Sequence, residues 1–193
     1  MNKFIALVGM AGSGKSVVAD ELIKRGYHFF RFGQITMDLI KERGMEVNET
    51  NERFIRESVR KDHGMGAYAI LNIPKVENFL ATGNVVGDGL YSWSEYKILK
   101  EKFKNHMFVI AVYAPPELRY ERLSGRRQKA EDKDIRFRQM TPEQAKSRDF
   151  AEIENIEKAG PIAMADFTLV NTGTIKNLID QLKKALIKID NMK

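Results

Sequence analysis

The chain has 193 residues, of which 43% are hydrophobic and 30% are charged. This length suits one α/β domain with a buried core and is too short for two. The sequence has no cysteine, which excludes disulfides, thiolate metal sites and cysteine nucleophiles. The first apolar stretch, which ends at Gly9, is too short to span a membrane and lacks a signal-peptide pattern. We therefore expect a cytoplasmic protein without membrane contact.

The net charge is +6 and the pI is about 9.4, which raises the question of nucleic-acid binding. The charge is uneven, because residues 119–148 contain ten Lys or Arg and only five Asp or Glu. This stretch is either a solvated charged face or a cluster that closes on a polyphosphate. Only Tyr120 and Phe137 lie among its basic residues, so the aromatic platform typical of single-strand binding is missing. We expect nucleic acid to be an unlikely partner.

Short apolar runs alternate with helical patterns along the chain, without repeats or linkers. Thr141 is expected to be an N-cap, with Pro142 at the first helical position and Gln144 completing a capping box. We expect Pro74 to interrupt the helix that contains it. The patterns predict strands at 4–8, 28–32, 84–88, 107–113 and 167–170, and helices at 15–25, 35–43, 46–63, 68–80, 94–103, 117–123, from 141 onward, and 175–189. Five strands separated by helices indicate a parallel sheet covered on both faces.

The strongest motif occupies residues 9–16, GMAGSGKS, which match the P-loop pattern G-x-x-x-x-G-K-[ST] in full. Its glycines let successive backbone N–H groups turn toward phosphate oxygens, and the following helix points its positive end at the same anion. Lys15 would reach the β- and γ-phosphates, and the Ser16 hydroxyl would ligate Mg²⁺. A glycine-rich turn before Lys-Ser is the alternative, but the strand before it and the helix after it favour a P-loop. The residues expected to contact the nucleotide here are Gly9, Ala11, Gly12, Ser13, Gly14, Lys15, Ser16 and Val17.

Asp88 ends the third predicted strand and could hold Mg²⁺, although a simple turn at Asp88-Gly89 is an alternative. Hydrolytic P-loop proteins usually follow this Asp with a Glu that polarises water, whereas Gly89 cannot act as a base. Transfer to a bound acceptor is therefore favoured over hydrolysis.

Arg122 and Arg126 are four residues apart, so on a helix both guanidinium groups would project from one face. Two permanent, planar cations suit a phosphoryl group whose charge is spread over three oxygens, although a surface pair of arginines is equally compatible with this spacing. A polar loop, residues 128–140, follows them and contains Arg136 and Arg138. Long loops of this kind are often lids, and a lid that excludes water matters to a kinase.

On these motifs the chain resembles the adenylate kinase and nucleoside-monophosphate kinase superfamily over nearly its whole length, and most closely its adenylate-kinase-related group. The resemblance implies a three-layer α/β/α domain with sheet order 2-3-1-4-5, an acceptor-binding insert at about 34–80 and a lid at about 127–149. Asp88-Gly89 resembles the Asp-Gly of those enzymes, and Arg122, Arg126 and Arg148 resemble lid arginines that reach the transferring phosphate. Residues 165–173 are similar to the closing segment of dephospho-CoA kinases, which implies that Asn171 and Gly173 lie against adenine.

Two departures from the superfamily concern the acceptor. Dephospho-CoA kinases carry an acid after the second strand, where this chain has residues 31–34, RFGQ. Adenylate kinases follow Asp-Gly with Phe-Pro-Arg, where this chain has residues 90–93, LYSW. Arg31, Arg56 or Arg60 could hold the acceptor instead, and surface solvation is an equal alternative for them.

We therefore expect a Mg²⁺-dependent kinase that uses ATP and a small phosphorylated acceptor, most simply a nucleoside monophosphate. One alternative is a dephospho-CoA-type kinase with a hydroxyl acceptor, and another is a nucleotide-dependent binding protein or weak ATPase that engages nucleic acid. The sequence leaves open the acceptor, the choice between ATP and GTP, and the oligomeric state.

Overall fold

A five-stranded sheet with the order β2-β3-β1-β4-β5 forms the centre of the fold, and all of its neighbouring strands are parallel. This confirms the expected fold class and strand order. The computed structural model describes residues 2–126 and 139–192. The strands are β1 (Phe4–Val8), β2 (His28–Arg31), β3 (Val85–Asp88), β4 (Met107–Tyr113) and β5 (Phe167–Val170).

Helices connect the strands and cover both faces of the sheet, as right-handed parallel crossovers require. The helices are α1 (Lys15–Lys24), α2 (Gln34–Glu42), α3 (Glu49–His63), α4 (Ala67–Leu80), α5 (Trp93–Phe103), α6 (Pro116–Ser124), α7 (Pro142–Glu154), α8 (Ala159–Ala163) and α9 (Ile175–Asn191).

Strand β1 is the middle of the sheet, and all five of its side chains are fully buried. Its alternate residues face two separate apolar cores, because successive side chains of a strand point to opposite faces. Ile5 and Leu7 pack with residues of α1 and α9, whereas Phe4 and Ala6 pack with residues of α4 and α5. Burial on both faces explains why the run is apolar without alternation.

Helices α2, α3 and α4 make up the predicted acceptor-binding insert and share a small core of their own. Its buried members are Ile40, Ile55, Val59, Ala67 and Tyr68. Helix α3 includes both Arg56 and Arg60, so their predicted position on one helical element is confirmed.

The predicted interruption at Pro74 is wrong, because α4 runs continuously through it. A proline in a helix cannot donate the usual backbone hydrogen bond. Packing holds the helix nonetheless, since Ala69 and Val76 are fully buried in the core beneath it. The buried side-chain amide of Asn72 adds a polar link, donating to the carbonyls of Tyr68 (2.8 Å) and Phe32 (3.3 Å).

The expected shared face of Arg122 and Arg126 is also wrong, because α6 ends at Ser124 and Gly125 terminates it. Arg126 lies beyond the helix, where helical spacing does not apply.

The capping box at Thr141 is confirmed. Thr141 Oγ1 accepts a hydrogen bond from the backbone N–H of Gln144, and the Gln144 side-chain oxygen accepts one from the backbone N–H of Thr141. Of the predicted lid, residues 127–138, which include Arg136 and Arg138, lie outside the described residues, and residues 142–149 belong to α7.

A buried ion pair fixes α7 against α6. The guanidinium of Arg119 donates to both carboxylate oxygens of Asp149, at 3.0 and 2.6 Å. It also donates to the carbonyls of Ala114 (3.0 Å) and Ala11 (3.1 Å), and the second of these lies in the P-loop. The Tyr120 hydroxyl completes the network by donating to Asp149 at 3.0 Å. Helix α7 is thereby tied to the P-loop through one side chain.

Asp149→Ala is expected to lower the free energy of unfolding by about 3–5 kcal/mol, because it leaves the buried Arg119 charge without its partner. Urea denaturation followed by circular dichroism measures the change. Glu154→Ala, which removes an exposed acid from the same helix, is the matched control and should change stability by less than about 0.5 kcal/mol. A loss below about 1 kcal/mol for Asp149→Ala would contradict this assignment.

Candidate active site

The P-loop backbone joins the end of β1 to the start of α1 in a conformation that requires glycine. Gly9 has φ 141° and Gly14 has φ 102°, a region that residues with a Cβ rarely adopt. A Cβ at Gly9 would stand 2.4 Å from the Val112 carbonyl oxygen, and one at Gly14 would stand 2.2 Å from the Asn171 side chain. The loop is therefore closely surrounded by β4 and by the end of β5.

The amide groups of the loop are only partly used within the protein. The amide of Ser13 donates to the Met10 carbonyl (3.2 Å) and that of Val17 to the Gly14 carbonyl (3.0 Å). Within residues 2–126 and 139–192, the amides of Gly12, Gly14, Lys15 and Ser16 donate to no backbone carbonyl. These are the donors that a helix N-terminus offers to an anion.

Lys15 lies against the loop that it follows, with its ammonium donating to the carbonyls of Gly9 (2.7 Å) and Met10 (3.1 Å). The pKa of this ammonium is lowered to about 8, chiefly by burial and then by the charge of Lys158, whereas Asp88 and Glu152 oppose the shift. Neutral carbonyls are thus the hydrogen-bond partners that the described residues give this partly buried cation. An anion bound in the P-loop would supply the negative charge that these neutral carbonyls lack.

Asp88 ends β3 beside the P-loop strand, level with Leu7 of β1 and Arg31 of β2. Its Oδ1 atom is buried and has no hydrogen-bond partner in the described part of the chain. A hydroxyl from Ser16 and this carboxylate are oxygen donors of the kind that Mg²⁺ takes together with phosphates and water. The described residues contain no group of three or more acids or histidines that could hold a metal alone. The donor set therefore fits a metal that binds with the nucleotide.

Arg122 and Asn171 connect the P-loop to the end of β5. One terminal nitrogen of Arg122 donates to the Asn171 carbonyl at 2.9 Å, and the other, NH1, is buried without a partner in the described chain. The Asn171 side chain donates to the Ser13 carbonyl at 2.8 Å. Asn171 is thus a buried residue that supports the P-loop by a hydrogen bond, whereas Gly173 is exposed. The contact of both residues with adenine stays a prediction.

Arg148, which is partly exposed, pairs with the buried Glu152, and Glu152 in turn pairs with the buried Lys158; neither of these two partners was anticipated from the sequence. Arg148 Nε donates to Glu152 Oε1 at 2.9 Å, and Lys158 Nζ donates to Glu152 Oε2 at 2.5 Å. Burial alone would raise the pKa of Glu152, but Lys158 and Arg148 hold it down to about 2. No local motif marks Lys158, because the contact joins the end of α7 to an irregular segment.

The predicted acceptor-binding insert carries Arg56 and Arg60 on α3. Arg60 lies over the Tyr68 ring, 5.4 Å from its centroid, and its Nε atom is buried without a hydrogen-bond partner in the described chain. The Tyr68 hydroxyl lies 2.6 Å from the Thr36 hydroxyl. Arg56, by contrast, donates to Glu52 at 3.1 Å. Of the arginines on α3, Arg60 is therefore the better placed to bind an anion.

Comparison with known proteins agrees with this site. Residues 5–153 match the family model described as an AAA domain. A UPF0200 protein of Thermococcus kodakarensis is 32% identical over 187 residues, which cover 96% of this chain and 97% of that protein. A UPF0200/UPF0201 protein of Archaeoglobus fulgidus is 31% identical over 97% of this chain, which spans only 56% of that protein. The chain belongs to the UPF0200 family of P-loop proteins with an AAA domain.

Solved kinases share the fold at low sequence identity. A gluconokinase from Sinorhizobium meliloti 1021 superposes with a TM-score of 0.60 and 14% identity, covering 97% of this chain and 93% of its own. A shikimate kinase from Bacteroides thetaiotaomicron gives a TM-score of 0.57 and 13% identity, with 95% and 98% covered. In the described residues no helix is long and apolar enough to cross a membrane.

Glu152 should make stability pH-dependent. Its pKa is lower in the folded protein than its ordinary value of 4.5, so its contribution is complete above pH about 4.5 and is lost as the pH falls toward about 2. We expect the difference in unfolding free energy between the unmodified protein and Glu152→Gln to be constant from pH 7 to 5.5 and to shrink between pH 4.5 and 3. Urea titrations across this range measure it. A difference that stays constant down to pH 3 would contradict the lowered pKa.

Lys15 should couple nucleotide binding to proton uptake. With a pKa of about 8, roughly half of its side chains are neutral at pH 8, and a bound phosphate favours the ammonium form. Calorimetry of Mg-ATP binding in two buffers of different ionisation enthalpy should show uptake of about half a proton at pH 8 and almost none at pH 6.8. In Lys15→Arg, whose guanidinium stays charged, the uptake should vanish. Equal uptake in both proteins would assign the proton elsewhere.

Proposed function

We propose that this protein is a P-loop kinase that transfers the γ-phosphoryl group of ATP to a small phosphorylated acceptor, most simply a nucleoside monophosphate. One observation carries the proposal. Among residues 2–126 and 139–192, the partly buried ammonium of Lys15 donates only to backbone carbonyls, and a buried oxygen of Asp88 has no hydrogen-bond partner. A triphosphate with Mg²⁺ would complete both groups at once.

Transfer is favoured over hydrolysis because none of the described carboxylates next to Lys15 is suited to remove a proton from water. Glu152 is near enough to affect the pKa of Lys15, but both of its oxygens accept hydrogen bonds from cations. Its pKa of about 2 makes it a poor base near neutral pH. Gly89, which follows Asp88, has no side chain that could polarise water.

A phosphorylated acceptor agrees with the charges on the acceptor side. In the part of the chain that the structure describes, Arg60 has a buried Nε without a hydrogen-bond partner, and Arg31 lies at the end of β2 level with Asp88. An acceptor that is already an ionised phosphate supplies its own nucleophilic oxygen, so no general base is required. This fits the absence of an acid in residues 31–34.

The proposed reaction is an in-line displacement. An acceptor oxygen attacks the γ-phosphorus, the bond from that phosphorus to the β–γ bridging oxygen breaks, and ADP leaves with the electron pair. Lys15, Arg122, Arg126 and Arg148 would stabilise the charge on the transferring group. Mg²⁺, held by Ser16 and Asp88, would supply neutralisation of the β- and γ-oxygens.

A hydroxyl acceptor is the second candidate, because solved proteins with this fold include a gluconokinase and a shikimate kinase. Such an acceptor must lose its proton during transfer, so the rate should fall as the responsible base becomes protonated. A phosphate acceptor with a pKa below the assay range would show no such dependence.

The test is ADP release from Mg-ATP with a panel of nucleoside monophosphates, gluconate, shikimate and dephospho-CoA. We expect one nucleoside monophosphate to raise the rate into the range of about 1–100 s⁻¹ that is typical of kinases, and Lys15→Ala to abolish it. Stimulation only by a hydroxyl compound would move the assignment to the second candidate. A slow rate that no acceptor changes would leave a weak ATPase, and salt-sensitive RNA or DNA binding would then be tested.

Arg60→Met provides a check on the acceptor side within the same assay. It should raise the KM for the phosphorylated acceptor about tenfold or more and leave the KM for ATP unchanged. Arg53→Met is the matched control, because Arg53 is an exposed arginine of the same helix that pairs with Glu57. An effect of Arg60→Met confined to ATP would contradict this placement of the acceptor.

A further inference from the structure

Helix α3 carries three arginines, and the structure holds them in two different ways. Arg53 and Arg56 each pair with a glutamate four positions away on the same helix, at 2.7 and 3.1 Å. Arg60 instead lies over the Tyr68 ring of α4, 5.4 Å from its centroid, which is within the range of a cation–π contact. A ring face holds a guanidinium without using any of its N–H donors as a carboxylate does.

The donors of Arg60 are not used by the acid that is buried near it. Glu95 is fully buried, and one of its oxygens accepts from the backbone N–H groups of Tyr91 and Ser92. Burial raises the pKa of Glu95, whereas these two hydrogen bonds and the charge of Arg60 oppose the rise. Yet within residues 2–126 and 139–192 both Arg60 Nε and the other oxygen, Glu95 Oε1, are buried without a hydrogen-bond partner. Neutralising Glu95 therefore does not account for where Arg60 lies.

The Tyr68 ring is fixed at both of its ends. Its hydroxyl lies 2.6 Å from the Thr36 hydroxyl on α2, and its backbone carbonyl accepts from the side chain of Asn72 at 2.8 Å. The residue is only 3% exposed and belongs to the small core that α2, α3 and α4 share. The guanidinium of Arg60 thus rests on a surface with a defined position.

Hydrogen bonds also connect Tyr68 to the strand end that carries the predicted metal ligand. Asn72, which holds the Tyr68 carbonyl, donates to the Phe32 carbonyl as well, at 3.3 Å. Phe32 directly follows β2, and its backbone N–H donates to the Asp88 carbonyl at 3.1 Å. Tyr68 therefore stands beside the carboxyl ends of β2 and β3, and Arg60 lies against it.

We propose that Tyr68 is a positioning residue of the acceptor site, whose ring holds Arg60 so that the guanidinium binds an anionic group of the acceptor. This role rests on the proposed kinase function. A guanidinium is planar and permanently charged, and two of its N–H groups can bind two phosphate oxygens together. A glutamate in place of the ring would occupy these donors, as happens at Arg53 and Arg56. The ring keeps Arg60 in place and leaves its donors to the ligand.

Replacement of the ring tests this role in the acceptor assay. In Tyr68→Leu we expect the KM of the phosphorylated acceptor to rise about tenfold or more, and the KM of ATP to stay within about twofold. Tyr68→Phe, which keeps the ring and loses only the hydroxyl, should restore the acceptor KM to within about threefold of the original value. An equal rise of both KM values in Tyr68→Leu, or no recovery in Tyr68→Phe, would overturn the proposal.

A second variant controls for loss of packing in the insert. Ile40→Ala removes a fully buried side chain from the same small core and leaves both Tyr68 and Arg60 in the sequence. The cavity lowers stability, but the acceptor KM should stay within about threefold of its original value. If Ile40→Ala raised the acceptor KM as much as Tyr68→Leu does, the effect would belong to packing and the proposal would fail.

A spectroscopic measurement makes the test independent of turnover. The Nε–H resonance of Arg60 can be assigned in ¹H–¹⁵N spectra by its disappearance in Arg60→Met. The ring current of Tyr68 should displace this resonance, and saturating inorganic phosphate, used as the probe, should shift it further. Both shifts should be lost in Tyr68→Leu and retained in Tyr68→Phe. A resonance that responds to phosphate equally in Tyr68→Leu would contradict the positioning role.

The phosphate titration also distinguishes this proposal from the proposed function. If no acceptor is phosphorylated but phosphate shifts the Arg60 resonance only when a ring is present at position 68, the kinase assignment fails and the role of Tyr68 stands. If an acceptor is phosphorylated but phosphate leaves the Arg60 resonance of the unmodified protein unchanged, the kinase assignment stands and the role of Tyr68 fails.

Discussion

The bonds of the Arg119 guanidinium are the interaction on which the site most depends. This buried group contacts the Ala11 carbonyl in the P-loop, the Ala114 carbonyl after β4, and both oxygens of Asp149 on α7. Because Arg148 precedes Asp149 and Glu152 follows it on the same helix, the ion pair also sets where these two charges lie. The P-loop and α7 are thus held together by protein contacts alone, and the proposed phosphoryl transfer would require preorganisation of this kind.

The apolar cores are closely packed, whereas several polar groups of the site lack hydrogen-bond partners in the described chain. The strands and helices around β1 are closely packed on both faces, whereas Asp88, Arg122 and Ser13 each retain a buried polar atom without a hydrogen-bond partner in the described chain. Unpartnered polar groups destabilise a fold, and they are concentrated here where a triphosphate would bind. Burial, followed by the charge of Lys158, explains why the pKa of Lys15 is low.

The fold shared with solved kinases accounts for the position of the P-loop better than for the arrangement of the insert. A parallel sheet of this order brings the ends of β1, β3 and β5 together, so the P-loop, Asp88 and Asn171 meet at one edge. The acceptor side depends on the insert, which has its own small core and its own arrangement of Arg60, Tyr68 and Thr36. Fold similarity at 13–14% identity therefore shows the fold, and the reaction and its acceptor must be argued from the residues of the site.

The sequence by itself determined the P-loop, the strands and the helix cap at Thr141, because each of these depends on neighbours within a few positions. The continuity of α4 through Pro74 was decided by packing, against what the proline had indicated. Only the tertiary structure could join Arg119 to Asp149, Asn171 to Ser13, and Lys158 to Glu152. These contacts link separate elements, in one case 158 positions apart, and local patterns carry no information about which distant charges will be buried together.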